Sequence, residues 1–219
     1  MNEAVDPRFT NLLQAAGSLS VSLDRAAAER LLRFLDLLQR WNAVYNLTAV
    51  RNPNDMLVQH LFDCLAVIEP LRREFGESGR VLDVGSGGGL PGIVIAALCP
   101  NIDVVCVDTV GKKAAFIRQA AGELQLPNLS AEHARVEALA APPFDIVTSR
   151  AFASLADFAR LSKQHLSPRG VWMAMKGKRP DEEIAILPTD IEVFHVEPLA
   201  VPELGADRCL VWMRPNPGV

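Results

Sequence analysis

The chain is poor in aromatic residues, in cysteine and in long apolar runs, and each shortage excludes something. Aromatics are 6% of the 219 residues. The single tyrosine, Tyr45, lies ahead of the strand-and-helix texture described below, so a Tyr-x-x-x-Lys hydride-transfer pair cannot be built. Cys64, Cys99, Cys106 and Cys209 are scattered and form no C-x-x-C pair. A disulfide framework and a metal site are therefore disfavoured, and buried thiols in a reducing compartment are expected. The apolar run from Ile93 to Cys99 falls far short of the roughly 20 residues that cross a bilayer. MNEAVDPRFT carries acids and a proline where a secretory peptide would have a basic and then an apolar run. The expectation is a cytoplasmic protein with no membrane partner.

What is present is an ordinary globular balance, 49% hydrophobic and 22% charged. The net charge of −4 alone argues against a nucleic-acid partner. Its distribution argues the other way, because between Pro142 and Pro180 seven lysines and arginines face two acids.

Two textures follow one another. Up to about Leu71 the pattern is helical, with Leu31, Phe34, Leu35, Leu38 and Trp41 forming one stripe and Ser20 or Ser22 as its N-cap. A second helix is expected to open at Asn52-Pro53 and to stop before Gly76. From Arg80 strands and helices alternate, which predicts a parallel sheet with helices on both faces. The last two strands, IEVFHVEPL and DRCLVWMR, lack a helical crossover, so at least one should be antiparallel. The expected division is a helical cap over residues 1–75 and a Rossmann-like α/β domain over 76–219.

VLDVGSGGGLPG, residues 81–92, joins an apolar strand to an apolar helix through five glycines. A nucleoside triphosphate would need G-x-x-x-x-G-K-[ST], which is missing. Gly87, Gly89 and Gly92 formally fit the dinucleotide pattern G-x-G-x-x-G. Asp83, Gly85, Gly87 and Gly89 fit the S-adenosylmethionine pattern [D/E]-x-G-x-G-x-G. A carboxylate repels a pyrophosphate but attracts an ammonium and a sulfonium, so Asp83 favours S-adenosylmethionine. Asp108, ending the next strand, suits ribose hydroxyls for either cofactor.

WNAVYNLTAV, HLFDCLAV, VLDVGSGGGLPGIVIA, GKKAAFIRQAAGEL, FDIVTSRAFASL and AMKG together resemble the glucose-inhibited division protein B family, the small-subunit ribosomal RNA guanine-N7 methyltransferases. The resemblance runs from about Trp41 to the C-terminal strands. It implies a class I S-adenosylmethionine-dependent methyltransferase with a seven-stranded, mostly parallel sheet. It also implies 16S ribosomal RNA or the small ribosomal subunit as partner, and cofactor contacts at Gly85, Leu90, Val136, Glu137 and Arg150. A monomer is the expected state.

The end of the fourth strand suits that chemistry. Thr148-Ser149-Arg150-Ala151 stands where exocyclic-amine methylation would use Asn/Asp-Pro-Pro-Tyr, and no cysteine nucleophile is near. Guanine N7 has an in-plane lone pair and no proton, so alignment suffices and no general base is expected. Arg150 is the residue expected to position cofactor or substrate; the alternative for it is an ion pair with Asp145, Asp157 or Glu137. Lys112, Lys113, Arg118 and Lys176 are the RNA-contact candidates. His60, Phe34, Trp41 and Tyr45 read as core. Two alternatives stay open: a small-molecule methyltransferase on the same sheet, and a non-catalytic RNA-binding module.

Overall fold

The computed structural model describes residues 6–216, so residues 1–5 of the N-terminal stretch read above, and residues 217–219, lie outside it. Helix α1 (Pro7–Ser18) starts behind Asp6, whose side chain accepts from the Arg8 amide. Helix α2 (Arg25–Tyr45) carries the apolar stripe, and Leu31, Phe34, Leu35 and Leu38 on it are buried. Its cap is Asp24, accepting from the Ala27 amide at 2.7 Å, and not Ser20 or Ser22. Ser20 instead has φ +60° in the turn that closes α1. Trp41 is only half-buried, and Tyr45 is 42% exposed, correcting its placement in the core.

The second helical segment opens as expected, with Asn52 capping and Pro53 first, and ends at Gly76, whose φ of +86° a side chain would resist. It is not one regular helix. Helix α3 (Pro53–Met56) runs into a π-helical turn (Leu57–Phe62), then α4 (Asp63–Leu65) and α5 (Ile68–Phe75).

The alternating region forms β1 (Gly79–Val84), α6 (Gly92–Leu98), β2 (Ile102–Asp108), α7 (Gly111–Glu123), β3 (Leu129–His133), β4 (Phe144–Arg150), α8 (Leu155–Ser162), β5 (Leu166–Lys176), α9 (Asp181–Ala185), β6 (Ile191–Pro198) and β7 (Cys209–Pro215). Turns of 3-10 helix occupy Val136–Ala138 and Lys163–His165. The seven strands lie in the order β3-β2-β1-β4-β5-β7-β6, and β7 runs against both its neighbours. Chain direction across the sheet reverses between β1 and β4, where ligands of open α/β sheets bind beyond the strand ends.

Strand alternation sends side chains to two cores. On one face Val81, Val104, Cys106, Ile146 and Met173 join α6, α7 and the N-terminal helices in one continuous cluster. On the other, Leu82, Val84, Val147 and Trp172 pack with Leu155, Phe158 and Ala159 of α8. All four cysteines are buried free thiols. Among the described residues no helix is long and apolar enough to cross a membrane.

Candidate functional site

Two cavities open beyond β1 and β4. The larger, about 540 Å³, is walled by Leu38, His60 and Asp63 from the N-terminal helices, by the glycine loop, and by Arg150 and Lys176. The smaller, about 320 Å³, is walled by Asp108, Val110, Lys113, Val136 and Glu137. Gly85 and Phe152 line both, so the two cavities adjoin there as arms of one trough.

The loop glycines divide into two kinds. Gly87 has φ +58°, and a Cβ there would meet nothing closer than the Gly85 carbonyl at 3.9 Å, so its bareness faces the cavity. A Cβ on Gly89 would come within 2.5 Å of Ile93 Cδ1, and Gly89 lines neither cavity. Gly89 is thus a packing glycine, against the expectation that it meets the cofactor. Gly85 and Leu90 do line the larger cavity.

Asp83 also departs from expectation. It shares the sheet face of Val81, is fully buried, and lines neither cavity. Its Oδ2 accepts from the Gly92 amide at 2.9 Å, bracing the start of α6. Burial pushes its carboxyl up to about 7, with the Gly92 amide opposing. Asp108 behaves as a connector, its Oδ2 accepting from the Gly87 amide at 3.0 Å and its Oδ1 from the Val110 amide at 2.8 Å. It ties the loop to the start of α7 while remaining in the wall of the smaller cavity.

The Val136–Ala138 turn is held from behind. The Val136 carbonyl accepts from His165 Nε2 at 2.6 Å and the Glu137 carbonyl from Gln164 Nε2 at 2.8 Å. Val136 is buried in the cavity wall, and Glu137 is exposed at its rim.

Arg150 makes none of the three ion pairs considered for it. Its Nη1 donates to the Gln59 carbonyl at 2.8 Å and to Asp63 Oδ2 at 3.2 Å, both from the N-terminal helical segment. Asp145 instead accepts from the Arg80 amide and the Ser167 hydroxyl, and Asp157 pairs with Arg160. Asp63 is buried and shared, because its Oδ1 accepts from Arg208 Nε at 2.9 Å. His60 is buried and hydrogen-bonded, as expected, with Nε2 3.0 Å from Thr48 Oγ1, yet it also lines the larger cavity. Burial, and then the charge of Arg150, bring its imidazole down to about 4.

The basic candidates are dispersed. Lys176 lies in the wall with its ammonium on both Glu183 oxygens, at 2.9 and 3.0 Å. Lys113 reaches Asp108 at 3.8 Å, and Arg118 donates to the Ala131 carbonyl at 2.8 Å. Lys112 is exposed and lines neither cavity. Asp63, Arg208 and Phe152 were missed from sequence. Phe152, two residues past Arg150, follows Ala151 at φ +59° and would sit 2.9 Å from a Cβ on Gly85.

These residues suit S-adenosylmethionine. The trough has an apolar wall at Val136, a carboxylate at Asp108 and bare main chain at Gly85 and Gly87. In the wall of the larger cavity, Ser86 Oγ is buried without a partner. Among the described residues no cluster of His, Cys, Asp and Glu could hold a metal ion.

Comparison with known proteins agrees. The profile of the GidB family, described as rRNA small subunit methyltransferase G, matches residues 27–211. A protein of Acidovorax sp. (strain JS42) named ribosomal RNA small subunit methyltransferase G is 59% identical over 213 residues, covering 93% of this chain and 94% of its own. One of the same name from Leptothrix cholodnii is 58% identical, covering 97% and 98%. Among solved structures, the glycopeptide N-methyltransferase MtfA aligns with a TM-score of 0.59 at 16% identity, over 76% of this chain and 100% of its own, a likeness of fold alone.

Proposed function

The chain belongs to the GidB family of small-subunit ribosomal RNA methyltransferases, and from that premise we propose how its trough works. It moves a methyl group from S-adenosylmethionine to N7 of a guanine in 16S ribosomal RNA. The observation that carries the reading is the trough at the β1/β4 reversal, one arm suited to a nucleoside and the other open to a base.

When bound, the cofactor supplies a methyl group on a positively charged sulfur. Asp108 and the Val136–Glu137 turn would hold its adenosine end, and Gly85, Gly87 and Leu90 would flank the rest. Arg150, fixed on Gln59 and Asp63, keeps its remaining donors for the ligands in the larger cavity. Among the described residues, the wall of the larger cavity offers no effective base. Asp63 is committed to two guanidiniums, and His60 is a weakly basic neutral imidazole at neutral pH. Such a wall fits an acceptor that loses no proton before the methyl arrives, as guanine N7 does.

Of the described residues, those up to 75 act here as the layer that walls the substrate side, through Leu38, His60 and Asp63, and those from 76 onward as the methyltransferase unit. A ribosomal RNA substrate implies work in the cytoplasm. The test is labelled-methyl transfer to small-subunit RNA from cells lacking the protein, with the modified base mapped. Label on a guanine N7 is expected. Label on another atom, or none on RNA, would overturn the reading.

A further inference from the structure

Arg208 stands between two cavities. One is the larger arm of the trough; the other, about 640 Å³, lies under the β6–β7 connection and is lined by Pro198, Leu199, Val201 and Arg179. Gly177 and Arg208 belong to both walls. The guanidinium is fixed at two points, with Nε donating to Asp63 Oδ1 at 2.9 Å and Nη1 to the Asp207 carbonyl at 2.8 Å. Its Nη2 makes no hydrogen bond among the described residues, and the side chain is 26% exposed.

The surrounding charges leave that edge available. Lys176 is neutralised by Glu183 and Arg179 by Asp181, while Asp207 is exposed and gives Arg208 its carbonyl. Asp63 is the one buried carboxylate under both Arg150 and Arg208, so a single group sets the aim of both.

We propose that Arg208 binds the RNA phosphate linking the acceptor guanosine, in the trough, to its neighbour, in the second cavity, and that Asp63 is the positioning residue for this contact. The proposal rests on the ribosomal RNA reading. A strand with one base in each cavity would carry its phosphodiester across the shared wall, where Arg208 offers a preset donor edge. The apolar lining of the second cavity suits a base or ribose face, and a phosphate contact positions the strand without reading its sequence.

The experiment measures binding of unmethylated small-subunit RNA across a salt series, with cofactor affinity by calorimetry alongside. Loss of one phosphate contact on a single strand should flatten the slope of log K against log salt by about 0.7. Arg208→Ala should show that change, with about tenfold weaker RNA binding at moderate salt and unaltered cofactor affinity. Arg208→Lys should restore the slope but not the full affinity, since an amine cannot span Asp63 and phosphate together. Asp63→Asn should keep the slope and raise KM for RNA. If Arg208→Ala does not fold, Arg208→Gln carries the same comparison. A wild-type slope in a folded, cofactor-binding Arg208 variant lacking the charge would overturn the proposal alone. No transfer to RNA by the unaltered enzyme would overturn the functional reading with it.

Discussion

Arg150 Nη1 and Asp63 Oδ2 stand 3.2 Å apart although 87 residues separate them in the chain. The pair joins the end of the fourth strand to the helical layer, so Arg150 has a structural task besides its place in the trough. Arg150→Ala should abolish most methyl transfer and also cost about 2 kcal/mol of stability. That is less than a fully buried pair would lose, because Arg150 is partly exposed and Asp63 keeps Arg208. Thermal unfolding beside a transfer assay checks both parts; full activity would remove Arg150 from the site.

The loop glycines should respond to alanine in two ways. Gly87→Ala meets open space and should cost about 1 kcal/mol for its left-handed backbone, yet cofactor affinity should fall steeply as the methyl enters the trough. Gly89→Ala drives a Cβ into Ile93 and Ile117 and should cost about 2 to 5 kcal/mol. Calorimetric titration and denaturant unfolding separate the two. Equal losses of stability would contradict the division.

Asp83 and His60 should impose opposite pH slopes. Asp83 is raised from 3.8 to about 7 by burial, so between these values the folded state holds the extra proton and stability falls as pH rises. His60 is lowered from 6.5 to about 4, so the unfolded state holds the extra proton there and stability falls as pH drops. Relative to Asp83→Asn, the wild type should lose ground from pH 4 to 7. Relative to His60→Gln, it should gain ground from pH 4 to 6.5. Melting curves that run parallel at every pH would refute both.

His165 and Gln164 brace the Val136–Ala138 turn from behind, in the arm proposed for adenosine. His165→Ala frees the Val136 carbonyl from its 2.6 Å bond, so KM for the cofactor should rise severalfold, with kcat at saturation nearly unchanged. A fall in kcat alone would argue against a role in shaping that arm.

The strands from Arg80 onward were legible because local patterns govern them: short apolar runs, glycine breaks and acids at strand ends. That at least one of the last two strands is antiparallel followed from the missing crossover, and β7 is that strand. The motif assigned Asp83 to the ligand, but alternation along β1 turns it to the α6 face, where an amide awaits it. The caps at Ser20 or Ser22 failed because Asp24 offers a stronger acceptor at the true start of α2. Tyr45, read as core, sits at the helix end, where cover runs out. Asp63 and Arg208 carried no signal at all. They are 145 residues apart, and only the folded helical layer brings them together.

That layer meets the sheet through rings that interlock, Phe34 and Trp41 against Phe116 at 6.3 and 5.5 Å between centroids, within one uninterrupted apolar mass. Moving it aside as one body would expose that apolar mass to water. The ring of Phe152, lining both arms of the trough, stands where the two ends of a bound donor would meet.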